Sequence, residues 1–425
     1  RRASAACAAP ATNLRFEPDG SVVACCVNSR FPLGHVSMAS IREIWEGVRI
    51  RELGGALDAG DFSLGCQDCA VQIEAGRRSA SYAPTFDPFA RSASPDWPRR
   101  LEFAVSNRCN LMCVQCSGRL SSAIRARREH LPPFERCYGE AFFAELEGFL
   151  EHAEATVFLG GEPFLQPEVW RIWDQLLALA PTDRPTVDVT TNGTIWNDRI
   201  ERYVRELAMT VAVSIDAVDP AVAEAIRIGS RHGEVLDNLR SLRNLVRETG
   251  GGFGINACLM RDNWQELPAL LALGDELDAA VEVIVVSYPH EHSLLFLPTA
   301  ELADVVAALE AVDRDRRADL GRNRPQWDAT LSQLRAHAVG QVAVPVEISV
   351  RPVASDFMSP PQRRMVQRLL VDERDRLTTA AGAAPVEIVA VDGTVREVID
   401  RPWAADLAVG TWVGSGVEQL LDHLT

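Results

Sequence analysis

The chain has 425 residues, 47% hydrophobic and 24% charged, the balance of an ordinary soluble globular protein long enough for two or three domains. Its 43 basic residues, all arginine, stand against 59 acidic ones, giving a net charge of −16 and a pI near 5.0, so the electrostatic footprint of a nucleic-acid partner is missing. No apolar run approaches the ~20 residues a membrane span requires, and the start, Arg1-Arg2-Ala3-Ser4-Ala5-Ala6-Cys7, lacks the apolar core of a signal peptide. Ten cysteines in so large a chain, several at Cys-x2-Cys spacing, favour metal over disulfides and a cytoplasmic location.

Three segments separate by pattern. Residues 1–98 hold five cysteines and end in a linker rich in Pro and Ser. Here Pro18-Asp19-Gly20 reads as a hairpin turn ahead of Cys25-Cys26, and Pro32-Leu33-Gly34-His35, Ile41-Arg42-Glu43-Ile44-Trp45 and Cys66-Gln67-Asp68-Cys69 follow. Residues 99–290 alternate short β-branched runs (101–105, 156–159, 186–191, 211–215, 253–259, 281–287) with helical periodicity (139–152, 167–179, 197–207, 234–248, 264–273). Such repeated units imply a parallel sheet with right-handed crossovers, either a partial barrel or a doubly wound open sheet. Residues 291–425 lose that alternation. A hairpin is expected around Asp392-Gly393 within 386–398, in a segment expected to cover the barrel opening or to mediate homodimer contacts.

The first strand candidate runs into Cys109-Asn110-Leu111-Met112-Cys113-Val114-Gln115-Cys116. This Cys-x3-Cys-x2-Cys spacing suits three corners of an iron–sulfur cubane and leaves one iron open. A zinc site would pair two such elements and close four ligands, and a ferredoxin run would carry a fourth cysteine followed by proline. At successive strand ends come Gly160-Gly161-Glu162-Pro163, Thr191-Asn192-Gly193 and Ser214-Ile215-Asp216. Arg227 follows, and Asn256 lies on the fifth strand. Each alone reads equally well as a turn, a cap or a solvated arginine. In this order they resemble the radical S-adenosylmethionine (SAM) superfamily, whose fold is a partial (β/α)6 TIM-like barrel.

That resemblance implies a [4Fe–4S] cluster on Cys109, Cys113 and Cys116, with SAM on the open iron and an external electron donor. It implies that Gly160, Gly161, Glu162 and Pro163 hold the amino group of SAM, that Thr191, Asn192, Ser214, Asp216 and Asn256 face the cofactor, and that Arg227 pairs with its carboxylate. One departure is Gln115, where an aromatic residue is common. The amino-terminal order resembles the SPASM or twitch domain, which binds an auxiliary [4Fe–4S] cluster; its ligands would be Cys7, Cys25, Cys66 and Cys69, with Cys26 as the substitute for Cys25. A small zinc site on the same thiols is the alternative.

Two further cysteines stand apart. Cys258 shares a strand face with Asn256 and reads either as a hydrogen-atom donor to a substrate radical or as a core thiol. Cys137 is a weaker candidate, and Ser287-Tyr288-Pro289-His290-Glu291-His292 reads as an ionisable cluster or a polar loop. The leading expectation is a radical SAM enzyme that epimerises or dehydrogenates a sugar-like or glycosylated small molecule. Modification of a ribosomal peptide is the alternative, and a non-catalytic iron–sulfur or zinc scaffold the third.

Overall fold

The computed structural model describes residues 6–74, 76–90, 96–316 and 320–339, with short strands at 349–351, 389–390 and 412–413. The chain divides into two compact units, residues 1–284 with 315–327, and residues 285–314 with 328–425. Among the described residues no helix is long and apolar enough to cross a membrane.

The first unit is built on one nine-stranded sheet. Its strands are β1 (Asn13–Phe16), β2 (Ser21–Val23), β3 (Gly34–His35), β4 (Arg100–Phe103), β5 (Ala155–Phe158), β6 (Thr186–Thr191), β7 (Thr210–Ser214), β8 (Phe253–Leu259) and β9 (Ala280–Val285). The order β3-β2-β1-β4-β5-β6-β7-β8-β9 makes β4 to β9 a run of six strands in chain order, each joined to the next through a helical crossover and paired in parallel from β4 to β8. This is the partial (β/α)6 barrel that the resemblance implies, and the strand order decides what periodicity left open, since a doubly wound sheet would reverse at a switch point.

Along β8 the burial alternates: Ile255, Ala257 and Leu259 are buried against helices, whereas Gly254, Asn256 and Cys258 are half-buried on the other face. On the helix side an aromatic chain ties the strands together. Phe103 stacks on Phe16 at 5.4 Å and on Phe158 at 5.1 Å, and Phe158 meets Trp173 edge-on at 5.5 Å.

The amino-terminal segment joins this sheet directly. β1 and β2 form the expected hairpin, with Gly20 at φ +87° in the turn. A side chain at Gly20 would also collide with Cys137 Cβ at 2.7 Å. β1 then pairs in parallel with β4, Arg15 opposite Glu102 and Phe16 opposite Phe103. Helix Ile41–Trp45, opened by a Ser40/Glu43 capping box, gives its Ile41 and Arg42 amides to Glu145 on helix Glu140–Leu150, at 2.7 and 2.8 Å.

In the second unit, helix Thr299–Arg316 follows a turn in which His290 stacks on Phe296 at 3.9 Å and Tyr288 meets His290 edge-on. The strands Ser349–Arg351, Val389–Ala390 and Trp412–Val413 form a separate three-stranded parallel sheet. Of the hairpin expected at 386–398 only Val389 and Ala390 are described; the Asp392-Gly393 turn lies outside the described residues.

Candidate functional site

The cysteine loop leaves the C-terminal end of β4, where barrel folds carry their chemistry, and is fastened on three sides. Ser122 opens helix Ser122–Arg127, gives its amide to Asn107 O at 2.6 Å, and its hydroxyl bridges Cys109 N and O at 3.3 Å each. Ser121 Oγ donates to Leu111 O at 2.7 Å. The amides of Met112 and Val114 donate to Ile228 and Ile226 carbonyls at 2.9 Å each, and the Arg128 guanidinium reaches Cys113 O and Cys116 O. The three thiols are half-buried, and burial pushes Cys109 to about 11 and Cys116 to about 12. As free thiols they are protonated at neutral pH, so taking up iron releases protons.

The turn after β5 needs both glycines because the cysteine loop lies against it. Gly160 sits at φ +109°, and a side chain at Gly161 would stand 2.4 Å from Arg108 O. Glu162 donates its amide to Arg108 O at 2.8 Å, and its fully buried carboxylate accepts from Thr191 Oγ1 (2.7 Å), Asn192 N (2.7 Å) and Phe164 N (3.1 Å). Burial lifts this carboxyl to about 7 against those three donors. The Glu162 side chain therefore ties the β5 turn to the end of β6.

At the end of β6, Asn192 Nδ2 donates to Asn110 Oδ1 at 3.0 Å and lies 3.8 Å from Cys109 Sγ, so this turn touches the loop through a cysteine sulfur. Ser214 ends β7 and pairs in register with Asn256 on β8, both half-buried.

Asp216 is the hub of the next cluster. It is fully buried; Oδ2 accepts from Gln115 Nε2 at 2.8 Å and faces Arg227 Nε at 2.8 Å, while Oδ1 accepts from Cys258 N at 2.8 Å. Asn263 holds the same corner from behind, donating to Asp216 O at 2.6 Å and Cys258 O at 2.8 Å. The Asp216 carboxylate is thus consumed by protein donors. Arg227 is likewise tied to Asp216 through Nε, and Cys113 lies close enough to feel its charge. The Cys258 thiol lies beside Gln115, Arg227 and Cys113, and burial, followed by the Asp216 charge, pushes it to about 12. The cysteine loop and β8 therefore meet through Gln115, the position where this sequence departs from the aromatic pattern.

The amino-terminal thiols form a second centre. Cys7, Cys25, Cys66 and Cys69 line one cavity whose other walls are largely apolar, among them Pro10, Leu53, Leu57, Ile73 and Phe86. Cys66 and Cys69 open helix Gln67–Glu74, and burial pushes Cys7 to about 11 and Cys66 to about 12. Cys26 does not line this cavity; its thiol feels Glu102, Arg15 and the Tyr82 hydroxyl. Four soft donors around one apolar hollow are the donor set of an iron–sulfur cluster or a thiolate zinc site. Among the described residues no group of three or more His, Cys, Asp or Glu side chains is arranged to hold a single metal ion. A cubane asks something different, since each thiolate binds its own iron.

Residues the spacing did not single out complete both centres: Ser122, Arg128 and Asn263 around the barrel loop, and Asn28, which lines the second cavity. Ser121-Ser122 ahead of an apolar helix is a readable capping signal. Asn28 and Asn263 carry none. Cys137 lines a separate cavity with Ser106, Asn107, Arg108 and Ser122, its thiol against Asp19 O at 3.3 Å.

Comparison with known proteins agrees with this geometry. Residues 103–274 match the radical SAM superfamily, and residues 7–70 match the SPASM iron-sulfur cluster-binding domain. The GTP 3',8-cyclase of Streptomyces coelicolor is 30% identical over 214 residues, 49% of this chain and 58% of that protein. The PqqA peptide cyclase of Xanthomonas oryzae pv. oryzae is 27% identical over 225 residues, 52% of this chain and 56% of that one. The chain spans about half the length of the curated relatives it matches, 58% and 56% for these two. Among solved structures, native anSMEcpe with bound AdoMet shares 16% identity over 53% of this chain and 62% of its own, with a TM-score of 0.39.

Proposed function

We propose, for a chain that belongs to the radical SAM superfamily and carries an SPASM domain ahead of its barrel, an enzyme that removes a hydrogen atom from a C–H bond of a sugar-like or glycosylated small molecule and returns one from the Cys258 thiol, so that the carbon is epimerised. The radical SAM domain uses a [4Fe–4S] cluster with SAM, and the SPASM domain binds auxiliary iron–sulfur. When bound, these groups supply a 5′-deoxyadenosyl radical that accepts the substrate hydrogen.

In this reading Cys109, Cys113 and Cys116 hold the barrel cluster, and Cys7, Cys25, Cys66 and Cys69 the auxiliary one. The backbone of Gly160–Pro163 receives the SAM ammonium. Arg227, its Nε anchored on Asp216, offers its terminal nitrogens to the carboxylate. Thr191 and Asp216 act by holding the corners of the site through Glu162, Gln115 and Cys258. Asn192, Ser214 and Asn256 are left to meet cofactor or substrate.

The observation that carries the reading is the Cys258 thiol, on the half-buried face of β8 and kept as S–H by burial that raises it to about 12. A hydrogen-atom donor has to be a thiol and not a thiolate. The thiol hydrogen goes to the carbon radical, and the sulfur radical left behind regains one electron and one proton from an external donor and solvent. Half-buried Asp188, Thr190, Ser214 and Asn256 on the same side of the sheet suit a hydroxyl-rich substrate.

Turnover in D2O with candidate sugars tests this: one solvent deuterium at the inverted carbon supports it, and no deuterium, or unchanged product from Cys258→Ala, contradicts it. A second reading, radical modification of a peptide, draws on the match to the PqqA peptide cyclase over 225 residues. There Cys258 is a core thiol and its removal leaves product unchanged.

A further inference from the structure

Asn28 is 1% exposed, and its side chain is fully committed around the four-thiol cavity. Nδ2 donates to Leu64 O at 2.9 Å and to Cys66 Sγ at 3.3 Å, and Oδ1 accepts from Phe31 N at 3.2 Å. The fit leaves no slack. Gly65, the residue before Cys66, sits at φ +85°, and a side chain there would stand 2.1 Å from Asn28 Oδ1. Asn28 thus reaches across 38 residues to hold one sulfur, with its orientation set by two backbone groups. An N–H aimed at a coordinating sulfur withdraws electron density from it and favours the reduced, more negative cluster; this is among the levers by which a protein sets a cluster's potential.

We infer that Asn28 is a positioning residue for the auxiliary cluster and raises its reduction potential through the N–H···S bond to Cys66. The inference rests on the reading of Cys7, Cys25, Cys66 and Cys69 as that cluster's ligands. It singles out Cys66 among the four because its N–H comes from a side chain, whereas Cys7, Cys25 and Cys69 meet the backbone amides of Ala9, Asn28 and Tyr82, which substitution at Asn28 leaves in place.

The test is a potentiometric EPR titration of the full chain, reconstituted anaerobically, comparing wild type with Asn28→Asp and Asn28→Leu. Asp keeps the shape and the acceptor for Phe31 N but turns the donor on Cys66 into an acceptor; Leu removes the donor together with that acceptor. The auxiliary midpoint is expected to shift to lower potential in both, further in Asp, while the barrel cluster, recognised by its spectral response to SAM, keeps its own midpoint. An unchanged auxiliary midpoint in a variant that still holds about eight irons per chain overturns the inference and leaves the ligand reading standing. About four irons in wild type overturns both. If neither variant keeps the cluster, wild type labelled with 15N-asparagine decides: hyperfine coupling of the reduced auxiliary signal to an asparagine side-chain nitrogen supports the inference, and its absence overturns it.

Discussion

Gln115 directs its amide to the buried Asp216 carboxylate, which also faces Arg227 and receives the amide of Cys258. Replacing Gln115 with Leu removes one hydrogen bond to a charged, water-free group, an expected loss of about 1.5–3 kcal/mol in denaturant unfolding of the metal-free protein. The Cys258 thiol rests against the same amide, so Gln115→Leu is also expected to lower solvent-deuterium incorporation at the inverted carbon while 5′-deoxyadenosine still forms. The barrel cysteines and the glycine pair were legible in the sequence because each is written as spacing within a dozen residues. The duties of Glu162 and Asp216 were not: Thr191 and Asn192 stand 29 and 30 residues from Glu162, Cys258 and Gln115 42 and 101 from Asp216, and only the fold brings these partners to the two buried carboxylates.

At the scale of elements, the cysteine loop and the β5 turn form one object, with the Gly161 backbone against Arg108 O. Gly161→Ala introduces a methyl 2.4 Å from that oxygen. The variant is expected to lose about four irons per chain, those of the barrel cluster, and to keep the auxiliary four, as read by iron analysis and EPR. The six barrel strands were legible because each is short, β-branched and followed by helical periodicity. The hairpin of β1 and β2 was legible from Pro18-Asp19-Gly20. Its docking on the open edge of β4 was not, since nothing local to either strand specifies a partner 87 residues distant. Charge cements that seam: Glu102 accepts from Arg15 Nη1 at 3.0 Å and from Arg100, all three nearly excluded from water. Glu102→Gln leaves the buried Arg100 guanidinium without its counter-charge and Arg15 with Glu17 alone, and the expected cost is about 3–5 kcal/mol in the same unfolding measurement.

For the whole molecule, two thiol centres on one sheet make stability depend on pH and on metal together. Burial raises Cys7 and Cys109 to about 11, and Cys66, Cys116 and Cys258 to about 12, all above the ordinary thiol value. Between about pH 9 and 11–12 the unfolded chain sheds these protons more readily than the folded one, so the metal-free protein is expected to lose stability as pH rises through that window. Ligated thiolates carry no such proton, and the reconstituted protein is expected to show a flatter profile there in thermal scans. The central claim, that Cys109, Cys113 and Cys116 carry an open-iron cluster which cleaves SAM, is tested most directly by reducing the reconstituted protein with SAM and assaying 5′-deoxyadenosine. The account predicts 5′-deoxyadenosine from wild type and none from Cys113→Ala; none from a fully iron-loaded wild type, or an equal yield from both, would contradict it.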